Sequence, residues 1–274
     1  MNKLAIAALA ALAATSALAV EGTIKTDKDT RSGDIKWQSR TKSYALTYKK
    51  GSTNVSAEYP LADVVRLDID KPATFDKLVE MVKSGHGAAA IGGLSAIVKD
   101  YKMLVWDKPA GRYLVEAYLA AGQAQKAYET ATSIITEDKS AAYVGELAPA
   151  YWQALLKLGK TQQLENCLRK AASEGDRASS AEALMMRGDV IIATDGDTPD
   201  AHRKALTDAY LRVALMYTDP ACKDARREAM NRCAASFDKL GMAARAEGMR
   251  TQAKSLWQTR CKRTTFKTTK KENK

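Results

Sequence analysis

The residues that most often perform chemistry in proteins are few in this chain and are not spaced as a catalytic site. The 274 residues include two histidines, His86 and His202. Neither has the H-x-x-x-H or H-E-x-x-H spacing that would place two zinc ligands on one helix face. None of the four cysteines lies in a C-x-x-C pair, which argues against redox catalysis. We therefore predict no catalytic residue, no metal, no cofactor and no enzymatic activity.

Residues 195–200, with the sequence DGDTPD, contain three aspartates and superficially resemble a calcium-binding loop. A calcium loop of the EF-hand type needs three alternating ligands before its glycine and a glutamate six residues beyond it, and both are missing here. Asp197 or Thr198 placed before Pro199 instead fits the cap of a new helix. We predict a helix boundary at this segment.

The basic residues are concentrated at the C-terminus. The chain has a formal net charge of +11, and residues 260–274 contribute +6 of it, from seven basic residues and one acid. Residues 20–259, which exclude both this segment and Lys3 near the N-terminus, carry an ordinary charge of +4. We predict a disordered basic tail over residues 259–274 that could bind anions through Arg260, Lys262, Arg263, Lys267, Lys270 and Lys271.

Four glycines, Gly85, Gly122, Gly159 and Gly196, follow one another at intervals of 37 residues, and Gly241 follows after a further 45. An apolar residue stands five positions after every one of them: Ala90, Ala127, Leu164, Ala201 and Ala246. Apolar residues at three- and four-residue spacings on both sides of the glycines indicate amphipathic helices. A fixed period of this size is typical of stacked helical hairpins. We predict about five hairpins over residues 72–258, with an atypical last hairpin that suits a capping unit.

Residues 20–71 have a different pattern, in which apolar and polar residues alternate. Ile35 and Trp37 illustrate this period of two, which is typical of half-buried strands, and similar runs follow up to Ile69. Lys49 to Ser52 has the composition of a hairpin turn. We predict a small antiparallel β-meander or barrel, which resembles the Sm-like barrels in strand number and length.

The helical part resembles the tetratricopeptide-repeat (TPR) family. The order of helix, glycine and helix, with alanine five residues after the glycine, is similar to that repeat in residues 117–131 and 237–253. Tyr118 and Phe237 stand four residues before their glycines, where the family prefers an aromatic residue. The resemblance implies an α+β, mainly α, chain in which a right-handed TPR-like α-hairpin solenoid follows the β domain. It also implies a surface that binds partners and carries no catalytic residues.

The predicted hairpins constrain how the cysteines could pair. Cys222 and Cys233 are eleven residues apart on one predicted helix, or about 16 Å along its axis, which is too far for a disulfide. Cys222 opens the first helix of the last hairpin, and Cys261 follows the end of its antiparallel partner. We predict a Cys222–Cys261 disulfide, with four free or buried thiols as the alternative.

The N-terminus has the features of a secretory leader. Residues 1–19, with the sequence MNKLAIAALAALAATSALA, combine one lysine, an apolar run of about a dozen residues and a small-residue cleavage box. The run is too short to span a bilayer, and no later segment is apolar enough to do so. We predict a signal peptide, export to the periplasm or cell envelope, and no transmembrane segment after cleavage.

Together these features predict a non-enzymatic interaction or scaffolding protein of the cell envelope. A peptide or protein segment would bind on a concave face built mainly from the first helix of each hairpin, with Arg112, Glu116 and Gln153 as candidate contacts. The alternative is an anion-binding module that attaches to acidic glycan, lipid or cell-wall polymer through the β domain and basic tail. Export argues against a nucleic-acid partner.

Overall fold

The computed structural model describes residues 19–261, with side chains up to Leu256. An N-terminal antiparallel sheet is followed by helices, as the sequence predicts. By packing, these residues divide into two compact units. The first runs through Asp76 and includes Gly92–Ala110, whereas the second contains Lys77–Ile91 and the chain from Gly111 onward. The division differs from the single boundary predicted near residue 71, because a later segment packs against the sheet.

The sheet has five strands, β1 (Val20–Thr26), β2 (Thr30–Gln38), β3 (Ser43–Lys50), β4 (Thr53–Pro60) and β5 (Val64–Ile69). Their order is β4-β3-β2-β1-β5. The first four strands form the predicted meander, and β5 pairs with β1 at the opposite side of the sheet, after a short 3₁₀ helix over Leu61–Asp63. The sequence pattern indicates the strands but not this crossing, which depends on pairing between distant segments.

The core of the first unit lies on one face of the sheet. Alternate strand positions supply its buried side chains, including Ile24, Ile35 and Leu46. Residues 101–106 complete it, with Leu104 1% exposed. The indole of Trp106 donates a hydrogen bond to the Ile69 carbonyl over 3.0 Å. This long-range packing is the reason that residues 92–110 belong with the sheet.

Eleven α-helices follow in the described residues. They are α1 (Phe75–Lys83), α2 (Gly87–Asp100), α3 (Asp107–Ala120), α4 (Ala124–Glu137), α5 (Leu147–Lys157), α6 (Thr161–Glu174), α7 (Arg177–Asp195), α8 (Pro199–Ala205), α9 (Leu211–Met216), α10 (Lys223–Lys239) and α11 (Ala243–Cys261). A π-helical segment, Leu206–Tyr210, joins α8 and α9 into one continuous helical element. The last helix continues to Cys261, three residues beyond the end predicted at 258.

These helices form five successive hairpins, and their first helices are α1, α3, α5, α7 and α10. The five regularly spaced glycines of the sequence pattern lie at the turns between paired helices, and all have positive φ, between 65° and 85°. At Gly122, its amide bonds to the Leu119 carbonyl and the next amide, of Gln123, bonds to the Tyr118 carbonyl. This is the Schellman geometry, which satisfies the last carbonyls of a helix. The same pair of bonds recurs at Gly85, Gly159 and Gly241.

The residues five positions after the glycines are all buried, with exposures of 0–2%. Each lies near the start of a second helix, where a small or apolar side chain packs into its hairpin. The predicted register of the repeat is therefore confirmed by the burial of Ala90, Ala127, Leu164, Ala201 and Ala246.

The fourth hairpin differs from the others. Gly196 ends α7 with φ 80° and ψ 173°, and the amide of Thr198 bonds to the Gly196 carbonyl instead of closing a Schellman motif. The second helix of this hairpin, interrupted by the π-helical segment, runs from Pro199 to Met216, whereas α2, α4 and α6 each have 14 residues. The interval of 45 residues thus reflects extra helix in the fourth and fifth hairpins.

Candidate functional site

A cleft of about 510 Å³ lies in the second unit and is lined entirely by first helices of the hairpins. All five hairpins contribute. The lining residues are Lys83 from α1; Arg112, Tyr113, Glu116 and Leu119 from α3; Pro149, Ala150 and Gln153 from α5; Glu182, Met185, Met186 and Asp189 from α7; and Asp224, Arg227, Glu228 and Arg232 from α10. We refer to this surface as the first-helix cleft.

Each first helix buries its apolar face and turns its polar face toward the cleft. On α3, Leu114 and Ala117 are buried among the helices, while Arg112, Tyr113 and Glu116 line the cleft. Because residues three and four apart share a helix face, the polar face of an amphipathic helix is presented as one stripe. Stacking five such helices brings their stripes together into one continuous surface.

The floor of the cleft contains a largely buried network centred on Asp189 of α7. Its carboxylate accepts hydrogen bonds from the Tyr210 hydroxyl at 2.7 Å and from Nε of Arg232 at 2.9 Å. Nη2 of Arg232 and Nε2 of Gln153 reach its other oxygen at 3.2 and 3.3 Å. Arg232 also donates to Glu228 at 2.8 Å. The network connects three first helices, and such charge-assisted bonds fix side-chain positions.

The ring of Tyr210 reaches Asp189 because α7 has a glycine beneath it. A Cβ atom placed on Gly188 would lie 2.3 Å from Cε1 of Tyr210, which is far closer than real contacts allow. Tyr210 ends the π-helical segment Leu206–Tyr210 and is 2% exposed. Such segments add a residue to a helical turn and often occur at functional sites. The glycine and the π-helical segment together place the Tyr210 hydroxyl at the cleft floor.

Burial and neighbouring charges act on the ionisable groups of this network. Burial alone would lower the pKa of Arg232, but the charge and hydrogen bonds of Asp189, with Glu228, outweigh it and raise that pKa. Burial, reinforced by Asp189, raises the pKa of Tyr210. Arg232 is therefore cationic and Tyr210 a neutral hydrogen-bond donor across the physiological pH range.

Glu182 differs from the other carboxylates of the cleft. It lies half-buried on α7, and within the described chain no hydrogen bond or ion pair is made to its side chain. Burial raises its pKa, while the charges of Arg232 and Arg112 act in the opposite direction and Glu228 and Asp189 raise it further. Its charge is thus held in a partly desolvated position without a direct partner.

The other end of the cleft is formed by α1 and α3. Arg112 donates to Glu116 at 2.9 Å, one helical turn away. The ring of Tyr113 lies beneath two cations, with Nζ of Lys83 at 5.7 Å and Cζ of Arg112 at 5.4 Å from its centroid. A half-buried tyrosine flanked by cations offers both apolar area and a polar edge, a combination common where proteins bind other chains.

The three residues proposed from sequence as contacts, Arg112, Glu116 and Gln153, all line the first-helix cleft. Sequence reasoning missed Glu182, Asp189, Tyr210 and Arg232. A local indication existed, because Gly188 and Asp189 interrupt the apolar residues of the segment that forms α7. The partners of Asp189 could not be identified from it, since Gln153 and Arg232 are 36 and 43 residues away in the sequence.

One other cluster brings together a serine, a histidine and an aspartate. Nδ1 of His202 lies 3.1 Å from Oγ of Ser236, and Nε2 lies 2.6 Å from Oδ1 of Asp197. These are the residue types of a hydrolytic triad, but Ser236 is only 1% exposed, so no substrate carbonyl can reach its hydroxyl. Within the fold, this cluster connects α8, α10 and the turn between α7 and α8.

The aspartate-rich segment 195–200 forms a helix cap. Oγ1 of Thr198 accepts the Ala201 amide at 3.2 Å, and Pro199 is the first residue of α8. The carboxylates pair with cations of the chain: Asp195 with Lys204, Asp197 with Lys239 and Asp200 with Arg203. Across residues 19–256, no group of three or more histidine, cysteine or acidic side chains has the arrangement of a metal site.

His86, the other histidine, is exposed at the turn between α1 and α2. Its Nδ1 lies 3.2 Å from the Ser84 hydroxyl, and the ring is in no cluster of the cleft. This position fits a surface residue of the hairpin turn.

Cys167, Cys222 and Cys233 are buried, and none of these three is bonded to another of them. Burial raises the pKa of Cys167 to about 11 and that of Cys233 to about 12, so both are neutral thiols near pH 7. The side chain of Cys261 lies outside the described part of the chain, and its pairing with Cys222 stays a prediction.

Two further sequence predictions fall largely outside the described residues. They are the signal peptide and the basic tail, in which only the backbone of residues up to Cys261 is described. Among the helices that the structure does describe, none is both long enough and apolar enough to cross a membrane.

Comparison with known proteins gives matches among solved structures alone. No protein-family model matches the sequence, and no curated protein matches it significantly. The chain is similar to a Podosopora anserina protein of nearly identical TPR-like repeats described as a kinesin light chain, with 13% identity, 70% of this chain and 96% of that chain covered, and a TM-score of 0.39. It is also similar to MamA of MSR-1, with 16% identity, coverage of 68% and 97%, and a TM-score of 0.34. A third similarity is to BtubC from P. vanneervenii, with 14% identity, coverage of 74% and 94%, and a TM-score of 0.33. No residue of the cleft is assigned from these similarities.

Proposed function

We propose that this protein is a non-enzymatic scaffold that binds a peptide or an extended protein segment in the first-helix cleft. The observation that carries the proposal is the lining of the cleft: all five first helices face it, and helices of the second position contribute no lining residue. A surface assembled from one equivalent helix of every repeat is long and continuous, which suits an extended chain better than a small compact ligand.

The chemistry of the cleft supports this occupant. Its lining combines a tyrosine, methionines and leucine with charged groups, and its floor is held by the Asp189 network. Aromatic residues and arginines are the residue types that most often dominate protein interfaces. Met185 and Met186 add flexible apolar surface that can adapt to different side chains.

We also propose that the protein acts outside the cytoplasm, in the periplasm or cell envelope. The support for this is the sequence of residues 1–19, with its short apolar run and small-residue cleavage box. N-terminal sequencing of the protein recovered from cells tests it directly. A mature N-terminus near Val20 is expected, and a retained Met1 would contradict export through this leader.

The cleft is tested by affinity capture from a cell-envelope extract with a matched pair of double variants. Glu116→Lys with Gln153→Lys changes two cleft residues, whereas Glu129→Lys with Gln125→Lys makes the same chemical changes on the exposed face of α4. Urea unfolding establishes that both variants remain folded. Captured partners should be lost from the cleft variant and kept by the α4 variant. Equal capture by the two variants would contradict binding in the cleft. A failure of the parent protein and both variants to capture any partner would contradict it as well.

A further inference from the structure

The charged residues of the first-helix cleft are almost completely paired with one another. Arg112 is bound to Glu116, Arg232 to Asp189 and Glu228, and Arg227 to Asp224 at 3.3 Å. Lys83 lies over the ring of Tyr113. The lining contains five carboxylates and four cations, so the surface carries a small excess of negative charge.

Arg232 serves two of these carboxylates, Asp189 and Glu228, whereas Glu182 lies outside every one of the ion pairs. It is the lining carboxylate to which the described chain brings no hydrogen-bond donor and no ion-pair partner. The charges of Arg112 and Arg232 act on Glu182, but the hydrogen bonds of both guanidinium groups are made to other carboxylates. A partly desolvated carboxylate without a partner is unfavourable in the free protein and becomes favourable when a cation binds to it.

The surroundings of Glu182 indicate how such a cation would be presented. Met185 and Met186 follow it by three and four residues on α7 and line the cleft on the same helix face. Apolar surface beside an isolated carboxylate fits a long side chain with an apolar stem and a charged end, as in lysine and arginine. A metal ion fits poorly, because Glu182 belongs to no metal-type group of three histidine, cysteine or acidic side chains in the described residues.

We propose that the first-helix cleft recognises a peptide through a lysine or arginine side chain that pairs with the carboxylate of Glu182. The inference rests on the proposed function and names the chemistry of its partner. The stem of the basic side chain lies against Met185 and Met186, and the peptide backbone follows the stacked first helices. Selectivity comes from the carboxylate, since an acidic peptide would meet an unpaired like charge at this position.

The experiment selects phage-displayed random dodecapeptides on the full protein and then measures the binding of the synthetic consensus peptide. One position of the selected peptides should be lysine or arginine. Glu182→Gln, which keeps the shape and removes the charge, should weaken binding of the consensus peptide by about tenfold or more. Glu129→Gln on α4 is the matched control and should change the affinity by less than about twofold.

The stability of Glu182→Gln separates recognition from misfolding. Because an unpaired, partly buried charge is removed, this variant should unfold at the same or a higher urea concentration than the parent protein. Weaker peptide binding in a variant that is equally or more stable then reports the loss of the carboxylate itself. A large loss of stability would show that Glu182 has a structural partner and would overturn the assignment.

The remaining outcomes distinguish the two proposals. Selected peptides without a basic position, or equal affinity for Glu182→Gln, overturn the inference and leave peptide binding in place. The absence of any enriched peptide counts against the proposed function as well. A synthetic peptide of residues 262–274 forms a separate arm: if it binds more tightly than the consensus, the occupant is this chain's own C-terminal segment and the partner proposed here is wrong.

Discussion

At the residue scale, the cleft floor depends on a position that has no side chain. Gly188 lies inside α7, where a glycine is unfavourable for helix stability. The ring of Tyr210 occupies the space that a Cβ atom at this position would need. The hydroxyl of that ring then reaches Asp189, which also holds Arg232 and Gln153. The helix therefore gives up some intrinsic stability at Gly188, and the ring of Tyr210 occupies the space and orders the floor of the cleft.

Alanine substitutions at two helical glycines should consequently change stability in opposite directions. Gly188→Ala places a methyl group against the ring of Tyr210 and should lower the free energy of unfolding by about 1–3 kcal/mol. Gly248→Ala, in the interior of α11 where no atom lies within 4 Å of the added Cβ, should raise it by about 0.5–1 kcal/mol. Urea unfolding followed by far-UV circular dichroism measures both.

A double variant tests whether the loss at Gly188 comes from Tyr210. Combining Gly188→Ala with Tyr210→Leu removes the ring that the methyl group meets, so the two losses should be clearly less than additive. Strict additivity, or a shift of Gly188→Ala and Gly248→Ala in the same direction, would show that the close contact does not determine the stability of this helix.

At the element scale, the repeat is defined by its turns. Gly122 has φ 70° and no atom within 4 Å of a Cβ built on it, so an added side chain would meet conformational strain and no clash. The Schellman bonds at this turn fix the angle between α3 and α4. The turn glycines and the glycine at position 188 are thus required for different physical reasons.

Substitution of Gly122 isolates the conformational contribution of the turn. Gly122→Ala should lower the free energy of unfolding by about 1–2 kcal/mol, because alanine disfavours positive φ. Gly122→Asn should cost less, since asparagine tolerates the left-handed region better. Urea unfolding of both variants checks the order. Equal losses for alanine and asparagine would show that something other than backbone conformation limits this position.

The elements also show how far sequence reasoning extends. The turn glycines and the buried apolar residues five positions after them can be recognised by short-range rules, and the turns of the hairpins lie at these glycines. The position of β5 beside β1 and the packing of residues 92–110 with the sheet depend on contacts between distant segments, so alternation along the chain could not reveal them. The π-helical segment was also missed, because its apolar spacing differs little from that of an ordinary helix.

The same division holds for the cleft. Arg112, Glu116 and Gln153 could be chosen from sequence because each lies on the polar face of a predicted first helix. The pairing of Asp189 with Arg232 could not, since it requires knowing which turns of α7 and α10 lie opposite each other. Glu182 looks from sequence like an ordinary exposed carboxylate, and only the packed structure shows that its charge has no partner.

At the scale of the whole molecule, charge is distributed unevenly along the chain. The formal net charge is +11, and residues 260–274 carry +6 of it. The first-helix cleft, in contrast, has one more carboxylate than cations in its lining. A basic segment and a slightly acidic cleft within one chain predict two binding activities that respond differently to salt, since attraction through many like charges is screened more than a single partly buried ion pair.

Deletion of residues 262–274 should separate these activities. The deletion removes six basic residues and one acid and lowers the formal charge from +11 to +6. Basic residues near an anionic surface contribute about 1 kcal/mol each, so binding to phosphatidylglycerol-containing vesicles at low salt should fall steeply. Binding of the selected peptide should be unchanged, because the described cleft contains none of these residues.

A variant with the six basic residues replaced by glutamine keeps the length of the segment and should behave as the deletion does. If the full chain and both variants bind the vesicles equally, the anion-binding role of the tail is rejected; if the deletion also loses peptide binding, the C-terminal segment and the cleft are coupled and the two activities are not separate.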